Sequence, residues 1–375
     1  MFADVRTIIE LMEQIAPSRL AMGGDEARIG LQLGRMNQPV RKVLVVLDVV
    51  ESVVDEAVAL GADLIIAHHA VIFRPIQSIR TDSPQGRLLR KCLTHEIGVY
   101  VSHTNLDIAE GGMNDLLAAR LGLQEVRLLY PTVSESLFKL VVFVPESHAS
   151  AVHEAVSRAG AGWLGNYSHC SFQSPGVGTF MPQSGSSPFI GSEGRLERVA
   201  EIRLETILTA DKLHAALEAM RQAHPYEEVA YDVYPLEQKG KSFGLGRLGL
   251  LPQPMALRDF AMRVSELMGV HALRYVGHPD QSIRSVAVIG GNGTSFVPQV
   301  AGRADVLLTG DVDHHTALDA LALGLALVDP GHHVEEVMKS YLCTELEAGL
   351  RGKYDTLVEA SRISTDPFHF LTRTD

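Results

Sequence analysis

Short, wholly apolar runs alternate with amphipathic segments throughout residues 41–123, and few architectures accept such a pattern. KVLVVLDV reads as a buried strand, ESVVDEAVALG as a helix closed by glycine and ADLIIAHH as the next strand. GRLLRKCLTHEIG is a second helix, VYVSH a third strand and GGMNDLLAARLGL the helix after it. Strands lacking polar alternation are covered on both faces, and strands separated by helices run parallel. From about residue 283 the plan returns. RSVAVIGGNGTSFVPQVAGRADVLLTGD lies over RKVLVVLDVVESVVDEAVALGADLIIAHH, with a one-residue difference in the Arg-to-Asp spacing. The expected fold class is α/β, with two related α/β halves forming one discontinuous domain.

Residues 136–241 break the pattern. FKLVVFVP, a helix from Ser147, an irregular Gly/Ser/Pro-rich stretch, ERVAEIRLETIL, a helix from Ala210 and YDVYPL follow in order. Strand–helix–strand taken twice predicts an inserted ferredoxin-like α+β module. The expected division is therefore 1–135 as the first half of a metal domain, 136–241 as the insert and 242–375 as the second half. A phosphate loop around the G-K-S at 240–242 would need glycine at position 235, where Pro235 stands, so KGKSFGLGRLG reads as a linker.

The opening MFADVRTIIELMEQIAP carries acids early and lacks a long apolar core, so it reads as an amphipathic helix ended by Pro17, not as a signal peptide. No run reaches the roughly 20 apolar residues of a membrane span. A formal net charge of −12 argues against nucleic acid and membrane as partners. The three cysteines, Cys92, Cys170 and Cys343, form no C-x-x-C pair. That argues against a disulfide framework or a cysteine zinc knuckle and fits a reducing, cytoplasmic location.

Six of the 16 histidines occur as adjacent pairs, His68-His69, His314-His315 and His332-His333, each after an apolar strand run. In open parallel sheets ligands bind beyond the carboxyl ends of the strands. Adjacent strand residues point to opposite faces, so each imidazole of His68-His69 would serve its own metal once the chain turns past the strand end. Two ions roughly 3.5–4 Å apart need carboxylates to neutralise them, and Asp107 and Glu336 are the candidates. His332 and Glu336, spaced i, i+4 at a helix start after Gly331, would share one face. The expected metal ligands are His68, His69, Asp107, His332 and Glu336. Imidazole plus carboxylate without thiolate suits Zn, Fe, Mn, Ni or Co. His103 is a candidate for a hydrogen-bonding partner behind the metal ligands or a proton donor, or a core hydrogen-bonding residue. His314 and His315 are expected to be structural or to line the same cavity, and His333 is not expected to be a ligand. G-G-N-G at 290–293 reads as a tight turn, with an anion-binding turn as the alternative.

The run G-A-D-L-I-I-A-H-H, then H-T-N-L-D, G-G-M-N-D-L-L-A, L-L-T-G-D and finally D-P-G-H-H-V-E-E resembles the GTP cyclohydrolase 1 type 2 homolog family, also called Nif-three-like dinuclear metal centre proteins. The middle region resembles the insert of the longer bacterial members, which is similar to the CutA and signal-transducer trimeric folds. G-N-Y at Gly165, G-V-G-T-F at Gly176 and H-P-Y-E-E at His224 carry that likeness. The resemblance implies two divalent metal ions per chain on the five residues named above, a CutA-like insert, and self-association into a toroidal homohexamer with sites facing an inner cavity. One departure is visible. Where many members have W-D-N-x-G-L, this chain has G-D-E-A-R-I-G-L at residues 24–31.

The functional expectation is a metal-dependent hydrolase acting on a nucleotide or a cyclic amide or amidine, GTP cyclohydrolase-like by resemblance. His103 and Glu335 are the candidates for a general base. The alternative is a non-catalytic protein that stores, delivers or inserts metal. A purely structural metal role ranks last, because five ligands for two ions leave coordination positions open.

Overall fold

Lys42–Val46, Leu64–Ala67 and Gly98–Val101 are strands whose side chains are almost all buried, because helices cover the sheet they form. In this computed structural model, which describes residues 1–371, the chain divides into two compact units. One comprises residues 1–132 and 243–375 and the other residues 133–242. The last four residues of the expected 242–375 segment lie outside the described residues. The long strands Gln124–Pro145 and Tyr231–Ala256 each pass from one unit to the other.

The first unit contains a five-stranded sheet in the order Leu357–Ala360, Lys42–Val46, Leu64–Ala67, Gly98–Val101, Gly30–Leu33. The first four strands run parallel and the last is antiparallel. Helices Glu51–Leu60 and Pro84–Thr94 place Val53, Val54, Ala57, Leu88 and Cys92 against Leu44, Val46, Ile65, Val99 and Val101 of the sheet. Each helix start and stop has a local cause. Ser83 caps the second helix by accepting from the Gly86 N–H, and Gly61 ends the first in a left-handed turn. The N-terminal helix Val5–Ile15 is capped by Asp4, which accepts from the Thr7 N–H at 2.9 Å.

A second set of parallel strands, Ser282–Val288, Val306–Leu308 and Ala326–Asp329, is flanked by antiparallel neighbours on both edges. One local arrangement occurs twice. Asp63 accepts from the backbone N–H groups of Arg41 (2.7 Å) and Lys42 (3.3 Å). Asp305 accepts from those of Arg284 (2.8 Å) and Ser285 (2.7 Å). In each case an aspartate before one parallel strand caps the start of its neighbour, and these contacts hold both carboxyls below the usual carboxylate range against the opposing effect of burial.

The second unit orders strand, helix, strand, strand, helix, strand. The strands are 133–145, Ser171–Phe180, Glu197–Thr209 and 231–242, and the helices Ala149–Arg158 and Leu213–Ala223. The strand order across the sheet is fourth, first, third, second. Leu140, Val142, Val144, Leu204 and Leu208 from the strands meet Val152, Val156, Ala216 and Met220 from the helices. Among the described residues no helix is long and apolar enough to cross a membrane.

Candidate metal centre

Four histidines converge where the parallel strands of the first unit end. His68 and His69 follow Leu64–Ala67, His103 follows Gly98–Val101, and His332 follows Ala326–Asp329. The strand stops at Ala67, so His68 and His69 need not alternate across a sheet, and their ring centroids lie 5.0 Å apart. His69 and His332 are 5.1 Å apart, and His68 and His103 5.2 Å.

Every one of these rings is held through Nδ1. His68 donates to the Ser102 carbonyl at 2.8 Å, His69 to Asp48 at 2.7 Å, His103 to Asp25 at 2.8 Å and His332 to Asp311 at 2.7 Å. A proton fixed on Nδ1 leaves the Nε2 lone pair free, the tautomer that binds a cation, and such carboxylate–histidine pairs fix ring orientation at metal sites. Asp311 does this from a left-handed conformation (φ 58°), which Asp tolerates better than most residues.

The Nε2 atoms face two carboxylates. Glu335 Oε2 lies 3.1 Å from His332 Nε2, 3.3 Å from His69 Nε2 and 3.7 Å from His68 Nε2. Asp107 Oδ1 lies 3.6 Å from His68 Nε2. Both oxygens are buried; Asp107 Oδ1 has no hydrogen-bond partner, and Glu335 Oε2 has only the imidazole nitrogens that face it. An unsatisfied carboxylate oxygen in the interior is costly, and a cation removes the cost. Three groups each bring ligand atoms within 4.8 Å of one another: His68, Asp107 and Glu335; His69, His332 and Glu335; and His68, His69 and His103. The donor set fits divalent metal, with Glu335 common to two of the groups.

The protonation equilibria show the same demand for positive charge. Burial pushes His68 down to about 4. Asp107 is raised by burial and by the nearby Glu335 carboxylate. Burial also works against the Glu335 anion, but His68, His332 and His69 outweigh it and hold the carboxyl well below its usual range. His332 is raised to about 9, chiefly by Glu335. Burial opposes the His69 cation, yet Asp48 and Glu335 raise it to about 10. Protons on His69 and His332 supply the charge that the carboxylates require, and bound dications would supply it with the imidazoles neutral.

Known proteins are similar to this chain in sequence and fold. The sequence model described as Duf34/NIF3 (NGG1p interacting factor 3) matches residues 3–367. The chain belongs to the DUF34/NIF3 family. It is 50% identical over 371 residues to the GTP cyclohydrolase 1 type 2 homolog of Halalkalibacterium halodurans, covering 98% of this chain and 99% of that protein. To the protein of that name from Bacillus subtilis it is 48% identical over 366 residues, covering 97% and 98%. A crystal structure of a Bacillus cereus protein related to NIF3 matches with a TM-score of 0.93 and 49% identity, over 99% of this chain and 100% of that one. Reduced HcgD from Methanocaldococcus jannaschii shares the DUF34/NIF3 fold at a TM-score of 0.58 and 22% identity.

Of the residues expected to bind metal, the structure of this DUF34/NIF3 chain brings His68, His69, Asp107 and His332 together and leaves Glu336 outside. Glu336 turns to Lys339 at 2.9 Å and His333 at 3.4 Å, which hold its carboxyl down to about 2. Its place is taken by Glu335, expected only as a base. The reason is local: His332–Glu336 is a 3₁₀ turn, so residues three apart stack, and α-helical i, i+4 spacing does not apply. His314 and His315 are exposed at the start of helix His314–Ala322 and join no ligand group among the described residues.

G-G-N-G is a turn two of whose N–H groups are occupied, Gly290 by Asn114 at 2.9 Å and Gly293 by Thr309 at 2.7 Å. It also forms one wall of the cluster. A Cβ at position 291 would fall 2.7 Å from Glu335 Oε1, and the backbone there has φ 58°. Asp25, Asp48 and Asp311, which orient three of the rings, were not anticipated. Asp48 and Asp311 follow apolar strands (KVLVVLD and LLTGD), and an acid at a strand end is the signal that points to them. Asp25 sits in the segment that departs from W-D-N-x-G-L, and there it serves to hold His103 and Thr104.

Proposed function

We propose that this chain holds two divalent metal ions on His68, His69, Asp107, His332 and Glu335, and that it is a metal-dependent hydrolase acting on a nucleotide or a cyclic amide or amidine. The observation that carries the reading is the pair of buried carboxylates, Asp107 and Glu335, with no partner but the Nε2 atoms they face, on rings already oriented through Nδ1. Paired divalent ions, when bound, lower the pKa of water and polarise a carbonyl, amidine or phosphoryl group. The substrate class rests on the printed name of the relatives, GTP cyclohydrolase 1 type 2 homolog.

The residues of the chain supply the rest. A cleft of about 920 Å³ reaches His69 and His332 and is lined as well by Arg362, by Lys339, which is paired with Glu336, and by the acids Asp48, Asp311 and Asp366. His103 keeps Nδ1 on Asp25, so its Nε2 is the proton-accepting atom, whereas Glu335 is already engaged by three imidazoles. His103 is therefore the general base in this reading. The insert, with its split βαβ order, is read as a CutA-like module. Self-association into a homohexamer belongs to the same reading.

Anomalous scattering or elemental analysis of protein from its own host should give two ions per chain, and that protein should turn over GTP or a member of a cyclic amide panel. One ion or none in metal-replete protein would sink the centre. Two ions without turnover would favour the alternative of metal storage or delivery, which the near-complete burial of His68 and Glu335 supports. Asp311→Ala should weaken the ion held by His332 by roughly 10- to 100-fold, because the ring loses its orienting acceptor. Competition against a chelator measures this, and an unchanged affinity would remove Asp311 from the centre.

A further inference from the structure

Two motifs of the insert, G-V-G-T-F at 176–180 and H-P-Y-E-E at 224–228, take no part in the metal centre, yet the fold brings them to one cavity of about 410 Å³. That is the size of a small-molecule site. Strand Ser171–Phe180 ends in Phe180 on one wall, and the turn after helix Leu213–Ala223 carries Tyr226. The turn is pinned by His224, which is buried. Its Nε2–H donates to the Phe143 carbonyl at 3.0 Å and its Nδ1 accepts from the Tyr226 N–H at 3.1 Å.

Tyr226 stands between two other rings, 5.8 Å from Phe180 and 6.3 Å from Phe189, inclined at 60° and 49°. Its hydroxyl donates to Glu201 Oε1 at 3.1 Å. The Glu201 carboxylate lies over Gly178, where any β-carbon would collide with it, so the glycine makes room for the acid. Glu227 accepts from the Ser187 N–H at 2.9 Å and ties down the segment bearing Phe189. Glu228 lines the cavity too, and among the described residues no Lys, Arg or His does.

We infer that this cavity is a binding site for a small organic cation, a quaternary or primary ammonium. Three aromatic faces attract such a head group through their quadrupoles, and Glu201 supplies the counter-charge. An anion would meet three carboxylates and no cation. A neutral ligand would leave the Glu201 carboxylate without a counter-charge.

Titration calorimetry on the full chain with choline and with benzyltrimethylammonium, against the uncharged choline isostere 3,3-dimethylbutan-1-ol, tests this. The cations should bind saturably and the isostere about tenfold more weakly or not at all. Glu201→Gln should weaken cation binding about tenfold without changing binding of the isostere, and Tyr226→Leu should abolish it, with metal content unchanged in both. Phe189, which is 53% exposed, provides a variant that does not threaten folding, and Phe189→Ala should also weaken the cation severalfold. Equal binding of the isostere, undiminished binding in both E201Q and F189A, or no saturable binding of either cation would overturn the assignment.

Discussion

If the proposed pair of ions is bound, replacing Glu335 by glutamine should take the centre from two ions per chain to one or none, while Glu336→Gln leaves both in place. Glu335 Oε2 is the atom within 3.1–3.7 Å of three Nε2 atoms, and it is shared by two of the ligand groups. Two unit charges 4 Å apart repel by roughly 4 kcal/mol at an effective dielectric of 20, and dications by about four times that. Glutamine keeps the shape and removes the negative charge that offsets this repulsion. Glu336 has its own partners in Lys339 and His333 and faces away. Elemental analysis of each variant beside thermal unfolding gives the answer. Full occupancy in E335Q, or loss confined to E336Q, would show that the wrong glutamate has been placed in the centre.

The second large effect concerns stability. Arg247 is 6% exposed and meets Asp115 in a two-pronged contact, Nε to Oδ1 at 2.5 Å and Nη2 to Oδ2 at 2.7 Å. It also donates to the carbonyls of Gly244, Gly246 and Ala109. Arg247→Met keeps much of the volume but removes the guanidinium from three carbonyls and from Asp115, which keeps only the Gly111 N–H at 2.8 Å. Breaking a buried pair by removing one partner costs about 3–5 kcal/mol, and Asp115 is partly open to solvent, so about 3 kcal/mol is expected. The double variant R247M/D115L should recover part of the loss, since a hydrophobic pair is often tolerated where half an ion pair is not. Urea denaturation measures both. A single-variant loss below about 1 kcal/mol would mean that water replaces the guanidinium.

Particular residues show what could be read from the chain and what could not. The strands before His68 and His332 are legible because a parallel strand covered on both faces has to be a continuous apolar run, and polar residues reappear where it ends. Asp107 was named only as an available carboxylate, and the structure sets it 3.6 Å from His68. The choice between Glu335 and Glu336 was not, because it turns on whether one turn is α or 3₁₀, and both glutamates suit either. Asp25, Asp48 and Asp311 were harder still. Each orients a histidine distant from it in sequence, and no short-range pattern records such a partnership. In the insert, the strand and helix order follows from hydrophobic periodicity. The meeting of G-V-G-T-F with H-P-Y-E-E depends on sheet register, which the residues alone do not disclose.

The cluster joins His69 to His332, 263 positions apart. On the proposed reading this separation sets an order of events during synthesis. His68, His69 and Asp107 leave the ribosome roughly 225 residues before His332, a delay on the order of 10–45 s at about 5–20 residues per second. For that interval the nascent chain offers three ligands without Glu335, a half-site that cannot offset the repulsion between two dications. Pairing of the ions then waits for the far end of the chain. The segment 133–242, 110 residues long, accounts for about half of that wait, so on that reading the place where the inserted unit interrupts the sequence would set when the ions can pair.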